Sequence, residues 1–209
     1  MPAKSLDTPG TVPVRYRLYW RWRAVLWDRW YAALPLLNRV TRLEHTRIRA
    51  VLDRWAHTLP EGPMLVPGCG VYHWSAVWWG RPILHLDLAP RMLIVAQNRQ
   101  TGGWYVAGDA MQLPLQSSSF SAVLAVGLSE YIADPSRWLY ELRRVLRPGG
   151  LLLLTTTPSN RRTRLRRWVN PALHFRSTEK WCNLLDEAGF RVHGSGTWTT
   201  QAVVLARST

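Results

Sequence analysis

Four short stretches of this chain combine residue types that can hold a nucleoside-like ligand. Gly68-Cys69-Gly70 follows the apolar run Pro63–Val66. Glycines there let a ligand approach the backbone with no Cβ in the way. A dinucleotide fingerprint needs a third glycine at position 73, where this chain has His73. A pyrophosphate therefore has no good cradle, whereas an adenosine without phosphates needs none. Asp87 ends a second apolar run, 17 residues after Gly70. A carboxylate at that place accepts hydrogen bonds from both hydroxyls of a ribose, unless it is simply an exposed strand-end acid. Asp109, within Gly108-Asp109-Ala110, ends a third run and could accept from the amino group of an adenine. Glu130-Tyr131 follows a fourth, and either group could orient or deprotonate a nucleophile. His73, His85, Cys69 and Cys182 have no metal-ligand spacing, so no metal is expected and both cysteines read as packing residues.

The elements that must position these residues alternate between two periodicities. Apolar runs predict strands at 63–66, 82–87, 104–107, 120–126, 151–154, 191–199 and 202–206. Helical spacing predicts helices over about 36–57, 71–79, 92–100 and 135–146, with a turn at Arg147-Pro148-Gly149-Gly150. A last helix starts on a Thr178 cap, runs to about Ala188 and stops at Gly189. Another helix is expected over 14–34, ended by Pro35, and residues 1–13 read as a disordered tail. Strands that alternate with helices and are apolar on both faces imply a parallel sheet covered on both sides. In such sheets ligands sit beyond the carboxyl ends of the strands, where the residues above fall.

At this point the sequence resembles the class I S-adenosylmethionine-dependent methyltransferases, in the branch that includes the ubiquinone and menaquinone methyltransferases. The resemblance covers about 64–209 and rests on blocks in family order. These are Leu65-Val66-Pro67-Gly68-Cys69-Gly70, Leu86-Asp87-Leu88-Ala89-Pro90-Arg91-Met92, Gly108-Asp109-Ala110-Met111-Gln112-Leu113-Pro114, Arg144-Val145-Leu146-Arg147-Pro148-Gly149-Gly150 and Ala188-Gly189-Phe190. It implies an α/β Rossmann-like fold, a seven-stranded mostly parallel sheet with helices on both faces, and capping helices at the N-terminus. It divides the chain into a tail (1–13), a helical cap (14–45) and a cofactor-binding domain (46–209). The implied cofactor is S-adenosylmethionine. Pro67, Gly68, Cys69 and Gly70 would line its methionine and ribose portion, Asp87 would hold the ribose, and Leu88 and Met92 would lie against the adenine. Asp109, Ala110 and Met111 would read the adenine edge, and Val126 would pass near the sulfonium. Glu130 and Tyr131 are the candidate catalytic pair. Two positions depart from the family pattern: Val66 stands where an acid is usual, and Tyr72 where a third glycine is usual.

Composition bounds the partners. The chain has 209 residues, a net charge of +14 and 47% hydrophobic residues, which excludes an intrinsically disordered chain. Two cysteines exclude a disulfide scaffold and suit a reducing compartment. No apolar run approaches the roughly 18 residues of a spanning helix, and the start does not read as a secretory signal; the expected address is the cytosol. The basic charge is nearly all arginine, 25 against two lysines, which codon bias alone could explain. Thirteen tryptophans are present, and five lie in the first 63 residues. Trp20, Trp27 and Tyr31 in one basic stretch, and Arg161, Arg162 and Arg164 in another, would flank the mouth of the site by resemblance. Arginine with aromatics suits either a polar lid or docking on an anionic membrane surface. The expected reaction is direct displacement at the sulfonium methyl by a small or amphipathic acceptor, lipid- or quinone-like. Nucleic acid is an unlikely substrate, because no Pro-Pro-aromatic motif and no suitable nucleophilic cysteine follow the strands. The alternative is a degenerate fold serving as a basic nucleic-acid-binding or partner-dependent scaffold protein, and oligomeric state stays open.

Overall fold

The computed structural model describes residues 35–71, 77–78, 80–99, 103–158, 173–197 and 201–209. The expected tail and first helix, Trp20, Trp27, Tyr31, Tyr72, His73, Arg161, Arg162 and Arg164 lie outside the described residues.

Leucine, isoleucine and valine on both faces of each central strand require cover on both sides, and helices supply it. The chain runs α1 (Pro35–Trp55), β1 (Met64–Pro67), β2 (Val77–Trp78), β3 (Arg81–Asp87), α2 (Pro90–Arg99), β4 (Trp104–Ala107), β5 (Phe120–Ala125), α3 (Pro135–Val145), β6 (Leu146–Thr156), α4 (Thr178–Glu187), β7 (Phe190–Thr197) and β8 (Ala202–Ser208). Seven strands form the main sheet in the order β4-β3-β1-β5-β6-β8-β7. All neighbours up to β6 pair in parallel, and β8 runs antiparallel between β6 and β7.

The strict alternation of a strand sorts its side chains into two layers. Leu65, Leu84, Leu86, Val123, Leu152 and Leu154 point to one face, where Trp138, Leu139 and Leu142 of α3 and Trp181 and Leu185 of α4 cover them. Met64, Ile83, Ala122, Leu124, Leu151 and Leu153 point to the other, beneath Ile48 and Leu52 of α1 and Leu93 of α2. Each fully buried Leu or Ile contributes about 1.5–3 kcal/mol. α1 is one continuous helix through position 45, and Ile48 and Leu52 in its C-terminal half pack on the sheet.

The helix ends follow local chemistry. Asp134 caps α3 by accepting from the Arg137 N–H at 3.1 Å, with Pro135 in the first turn. Ser177, not Thr178, caps α4: its hydroxyl accepts from the Lys180 N–H at 3.1 Å, and Thr178 is the first helical residue.

Two sequence expectations fail locally. Part of the helix expected over 71–79 is strand: Val77 and Trp78 pair antiparallel with Pro82 and Arg81 at the start of β3. The spacing of a short apolar run does not separate a strand from one helical turn. The turn expected at 147–150 is instead the bulged beginning of β6. Leu146 pairs with Phe120, and the register resumes at Leu151 opposite Ala122. A Cβ on Gly150 would sit 2.8 Å from the Arg147 carbonyl oxygen, so the bulge needs glycine there.

Candidate active site

The site is assembled from the loops that leave the carboxyl ends of β1, β3, β4 and β5, four adjacent strands. The turn after β1 is stitched to β3, since the Cys69 N–H donates to the Leu86 carbonyl at 3.1 Å. Gly68 and Gly70 both take positive φ, +64° and +58°, a region where a side chain is strained.

The two glycines serve different ends. A Cβ on Gly68 would come within 2.7 Å of Leu128 Cδ1, so this glycine admits a leucine from the loop after β5. A Cβ on Gly70 would meet nothing within 4 Å among the described residues.

Asp87 is the hub. Its Oδ2 accepts from the Gly70 N–H at 2.8 Å and its Oδ1 from the Ala89 N–H at 2.9 Å. The glycine turn and the strand-end acid, 17 residues apart in sequence, are thus one hydrogen-bonded unit. The Leu88 N–H is a third backbone donor to this carboxylate, which has about four acceptor sites in all. Burial pushes the Asp87 carboxyl above its usual range, against the N–H groups of Ala89 and Gly70 that favour the ion. Its backbone carbonyl accepts from the Gly108 N–H at 3.0 Å, tying in the loop after β4.

In that loop Asp109 turns the chain back on itself. Its carboxylate accepts from the Met111 N–H at 2.8 Å and its carbonyl from the Gln112 N–H at 3.1 Å. Ala110 and Met111 pack their apolar parts against the core. The loop is latched from α3. Glu141 Oε2 accepts from the Leu113 N–H at 2.8 Å, and Arg144 donates to the carbonyls of Leu113 at 3.0 Å and Leu115 at 2.8 Å. Arg144 also meets Glu141 at 2.8 Å and, by its hydrogen bond, holds the Glu141 carboxyl below its usual range.

The loop after β5 begins at Val126, half-buried, and turns at Gly127 with φ +67°. Three successive threonines at the end of β6 fix its surroundings. Thr155 Oγ1 accepts from the Gly127 N–H at 2.9 Å, Thr156 Oγ1 accepts from Trp181 Nε1 at 3.1 Å, and Thr157 Oγ1 donates to Glu130 Oε1 at 3.0 Å. Ser129 adds a bond from its hydroxyl to the Thr155 carbonyl at 2.9 Å.

The structure brings Gly68, Gly70, Asp87, Asp109 and Val126 to one end of the sheet, with Leu88 half-buried beside Asp87. Pro67 and Cys69 are buried beneath them, and burial pushes the Cys69 thiol up, so it is a packing group. Met92 is sealed in a small cluster with Val71 and Ala89. Val66 is buried among apolar neighbours, and its register partner His85 stacks on Tyr105 at 4.9 Å. Tyr131 is half-buried, whereas Glu130 is only 4% exposed. Among the described residues no group of three or more His, Cys, Asp or Glu could hold a metal ion. Leu128, Thr155, Thr157 and Glu141 escaped the sequence reading, and Arg144 entered it only as the first residue of a family block. The run Thr155–Thr157 looks like an ordinary strand end, and only Glu141 and Arg144, three apart on a helix, carried a visible pairing signal.

Residues 65–154 match the family described as a methyltransferase domain. A malonyl-[acyl-carrier protein] O-methyltransferase of Serratia marcescens is 37% identical over 99 residues, 46% of this chain and 39% of that protein. The chain thus spans about two-fifths of that relative's length. Magnesium protoporphyrin IX methyltransferase from Synechocystis, solved with bound S-adenosylhomocysteine, aligns with a TM-score of 0.73 at 15% identity, covering 93% of this chain and 98% of that one. A methyltransferase from Thermotoga maritima aligns with a TM-score of 0.61 at 23% identity, covering 78% and 97%. At these identities the two solved structures speak for the fold. The glycine turn held on the Asp87 carboxylate suits an adenosine-bearing ligand without phosphates. Motif, strand order and sequence match thus agree: over residues 65–154 the chain is similar to the methyltransferase domain, and its fold is similar to that of S-adenosylmethionine-dependent methyltransferases.

Proposed function

We propose that this protein transfers the methyl group of S-adenosylmethionine to a small or amphipathic acceptor by direct displacement. The observation that carries the reading is the hydrogen bond from the Gly70 N–H to Asp87, with no described residue within 4 Å of where a Gly70 Cβ would lie. When bound, the cofactor supplies a methyl group already activated on a sulfonium, so the protein's work is to align an electron pair with it. Asp87 accepts from the ribose hydroxyls, and its backbone donors fix its orientation and favour the ion against the effect of burial. Leu88 and the Asp109–Met111 turn flank the adenine. Gly127, held by Thr155, shapes the backbone at the acceptor side, and Tyr131 is exposed enough to orient an acceptor.

The acceptor class is argued from charge and apolarity together. A chain of net charge +14 attracts an anionic acceptor or an anionic surface. The Serratia relative is named for a methyl acceptor on an acyl carrier, which also joins an acyl chain to negative charge. A lipid- or quinone-like acceptor, met by a cytosolic enzyme at an anionic membrane face through the arginine- and tryptophan-rich stretches, fits the same chemistry. No helix among the described residues is long and apolar enough to cross a membrane.

The test is release of S-adenosylhomocysteine from the full chain with acyl-carrier, fatty-acid, quinol and phospholipid-headgroup acceptors, alongside Asp87→Ala. Turnover with one class that is lost in the variant supports the reading. Cofactor affinity that is the same in wild type and variant would overturn it. Sedimentation with anionic vesicles at moderate salt tests the membrane arm, which fails if the protein stays in the supernatant.

A further inference from the structure

Glu130 follows β5, where the sequence offers it as a candidate base, yet the bonds it makes to other described residues are structural. Its side chain is 4% exposed, and its Oε1 accepts a hydrogen bond from the hydroxyl of Thr157, itself 3% exposed, at 3.0 Å. Its backbone carbonyl accepts from the His174 N–H at 2.7 Å. Thr157 directly follows β6, and His174 belongs to the segment that leads into α4. One residue of the loop after β5 therefore holds the chain on both sides of the stretch that separates β6 from α4. The neighbouring contacts repeat the pattern. Arg176 donates to the carbonyls of Ile132 at 2.9 Å and Ala133 at 3.0 Å, and Ser129 binds the Thr155 carbonyl at 2.9 Å.

We infer that Glu130 is a positioning residue: through Thr157 and His174 it fixes the loop after β5, with Gly127 and Tyr131, against β6 and the 173–176 segment. A proton acceptor must reach the proton it takes, within about 3 Å or through one water. A carboxylate sealed from solvent and bound to a threonine hydroxyl is built for holding. The kinetic arm of the test rests on the proposed methyl transfer, and the proteolytic arm does not.

The experiment compares Glu130→Gln, Glu130→Ala, Thr157→Val and Thr157→Ser in the full chain. Trypsin cleavage between 158 and 173, where Arg161, Arg162, Arg164, Arg166 and Arg167 supply the sites, is followed by mass. Cofactor affinity reports that each variant is folded. Removing one hydrogen bond shifts a local opening equilibrium by about fivefold, and proteolysis reads that population. Glu130→Ala and Thr157→Val should therefore be cut about fivefold faster than wild type, with Thr157→Ser and Glu130→Gln restored because each keeps the hydroxyl-to-oxygen bond. In methyl transfer the first two should raise the acceptor KM, and Glu130→Gln should leave the pH profile unchanged. The inference fails if cleavage is unaltered in both Glu130→Ala and Thr157→Val. It also fails if Glu130→Gln lowers kcat by about 100-fold and removes a limb of the pH profile while Thr157→Val does not, since that is the mark of a base. If no acceptor is turned over by wild type, the proposed function has failed and the cleavage rates alone decide this inference.

Discussion

At the scale of single residues, the glycine turn separates two demands that look identical in sequence. Leu128 packs where a Gly68 side chain would lie, whereas no described residue meets a Cβ on Gly70. Gly68→Ala must displace a leucine as well as hold a side chain at positive φ, and should cost about 2 kcal/mol or more of stability. Gly70→Ala meets only the conformational cost, about 1–2 kcal/mol, but should lower cofactor affinity more than Gly68→Ala does. Thermal melts and cofactor titration of both variants check this crossed pattern. Asp87 sets a pH dependence whose sign follows from its environment. Burial raises its pKa, so its carboxyl is protonated at a higher pH than an exposed aspartate would be. Protonation removes an acceptor from the ribose hydroxyls, so the dissociation constant for the cofactor should rise as pH falls from neutral. Binding at low pH should also release protons, which calorimetry in buffers of different ionisation heat detects. An affinity flat from neutral down to the usual aspartate range would remove Asp87 from the role of ribose anchor.

Elements are held to one another by a few polar bonds laid over apolar packing. α3 and α4 meet through Trp138 and Trp181, edge to face with centroids 6.0 Å apart and neither exposed. Trp181 Nε1 donates to Thr156, whereas Trp138 Nε1 has no hydrogen-bond partner among the described residues. Trp181→Phe should therefore destabilise more than Trp138→Phe, by about 1–2 kcal/mol beyond the shared loss of volume. Chemical denaturation of the two variants measures the difference. The latch from α3 to the Asp109 loop is electrostatic in part. Arg144 holds the folded pKa of Glu141 below the ordinary 4.5, so its stabilisation is present above that value and lost as pH falls through the folded pKa. Arg144→Ala should lower the melting temperature at neutral pH, with the gap to wild type narrowing in acid as Glu141 protonates in both proteins. A gap independent of pH would mean that the arginine acts only through the Leu113 and Leu115 carbonyls.

For the whole molecule, the sheet order decides where the site is. From β1 the chain builds outward through β3 to β4 on one side and through β5 to β6 on the other. At such a switch point the loops diverge and leave a crevice beyond the carboxyl ends of the strands. The Gly68–Leu128 contact spans the junction between β1 and β5, and Asp87 joins the β1 and β3 loops. A ligand there binds several elements at once and should stabilise the fold globally. At 100 times its dissociation constant it contributes about 2.7 kcal/mol, a rise of about 5–10 °C for a chain of this length. Thermal melts with S-adenosylmethionine and S-adenosylhomocysteine test this, and Asp87→Ala should abolish the rise.

The sequence by itself determined the alternation of strands and helices, the two-faced burial of the central strands and the strand-end positions of Gly70, Asp87 and Asp109. These depend on periodicity and on residue types adjacent in the chain, which local physics enforces. It misread Val77–Trp78, whose pairing with β3 is made across a turn, and it took the bulged start of β6 for a free turn because Leu146 finds Phe120 across the sheet. The division of labour between Gly68 and Gly70, the latch of Glu141 and Arg144, and the hold of Glu130 on Thr157 and His174 were decided only by the tertiary structure. Each joins residues that local spacing does not relate, and a hydrogen bond or van der Waals contact forms only where the folded backbone brings both partners to within 3–4 Å.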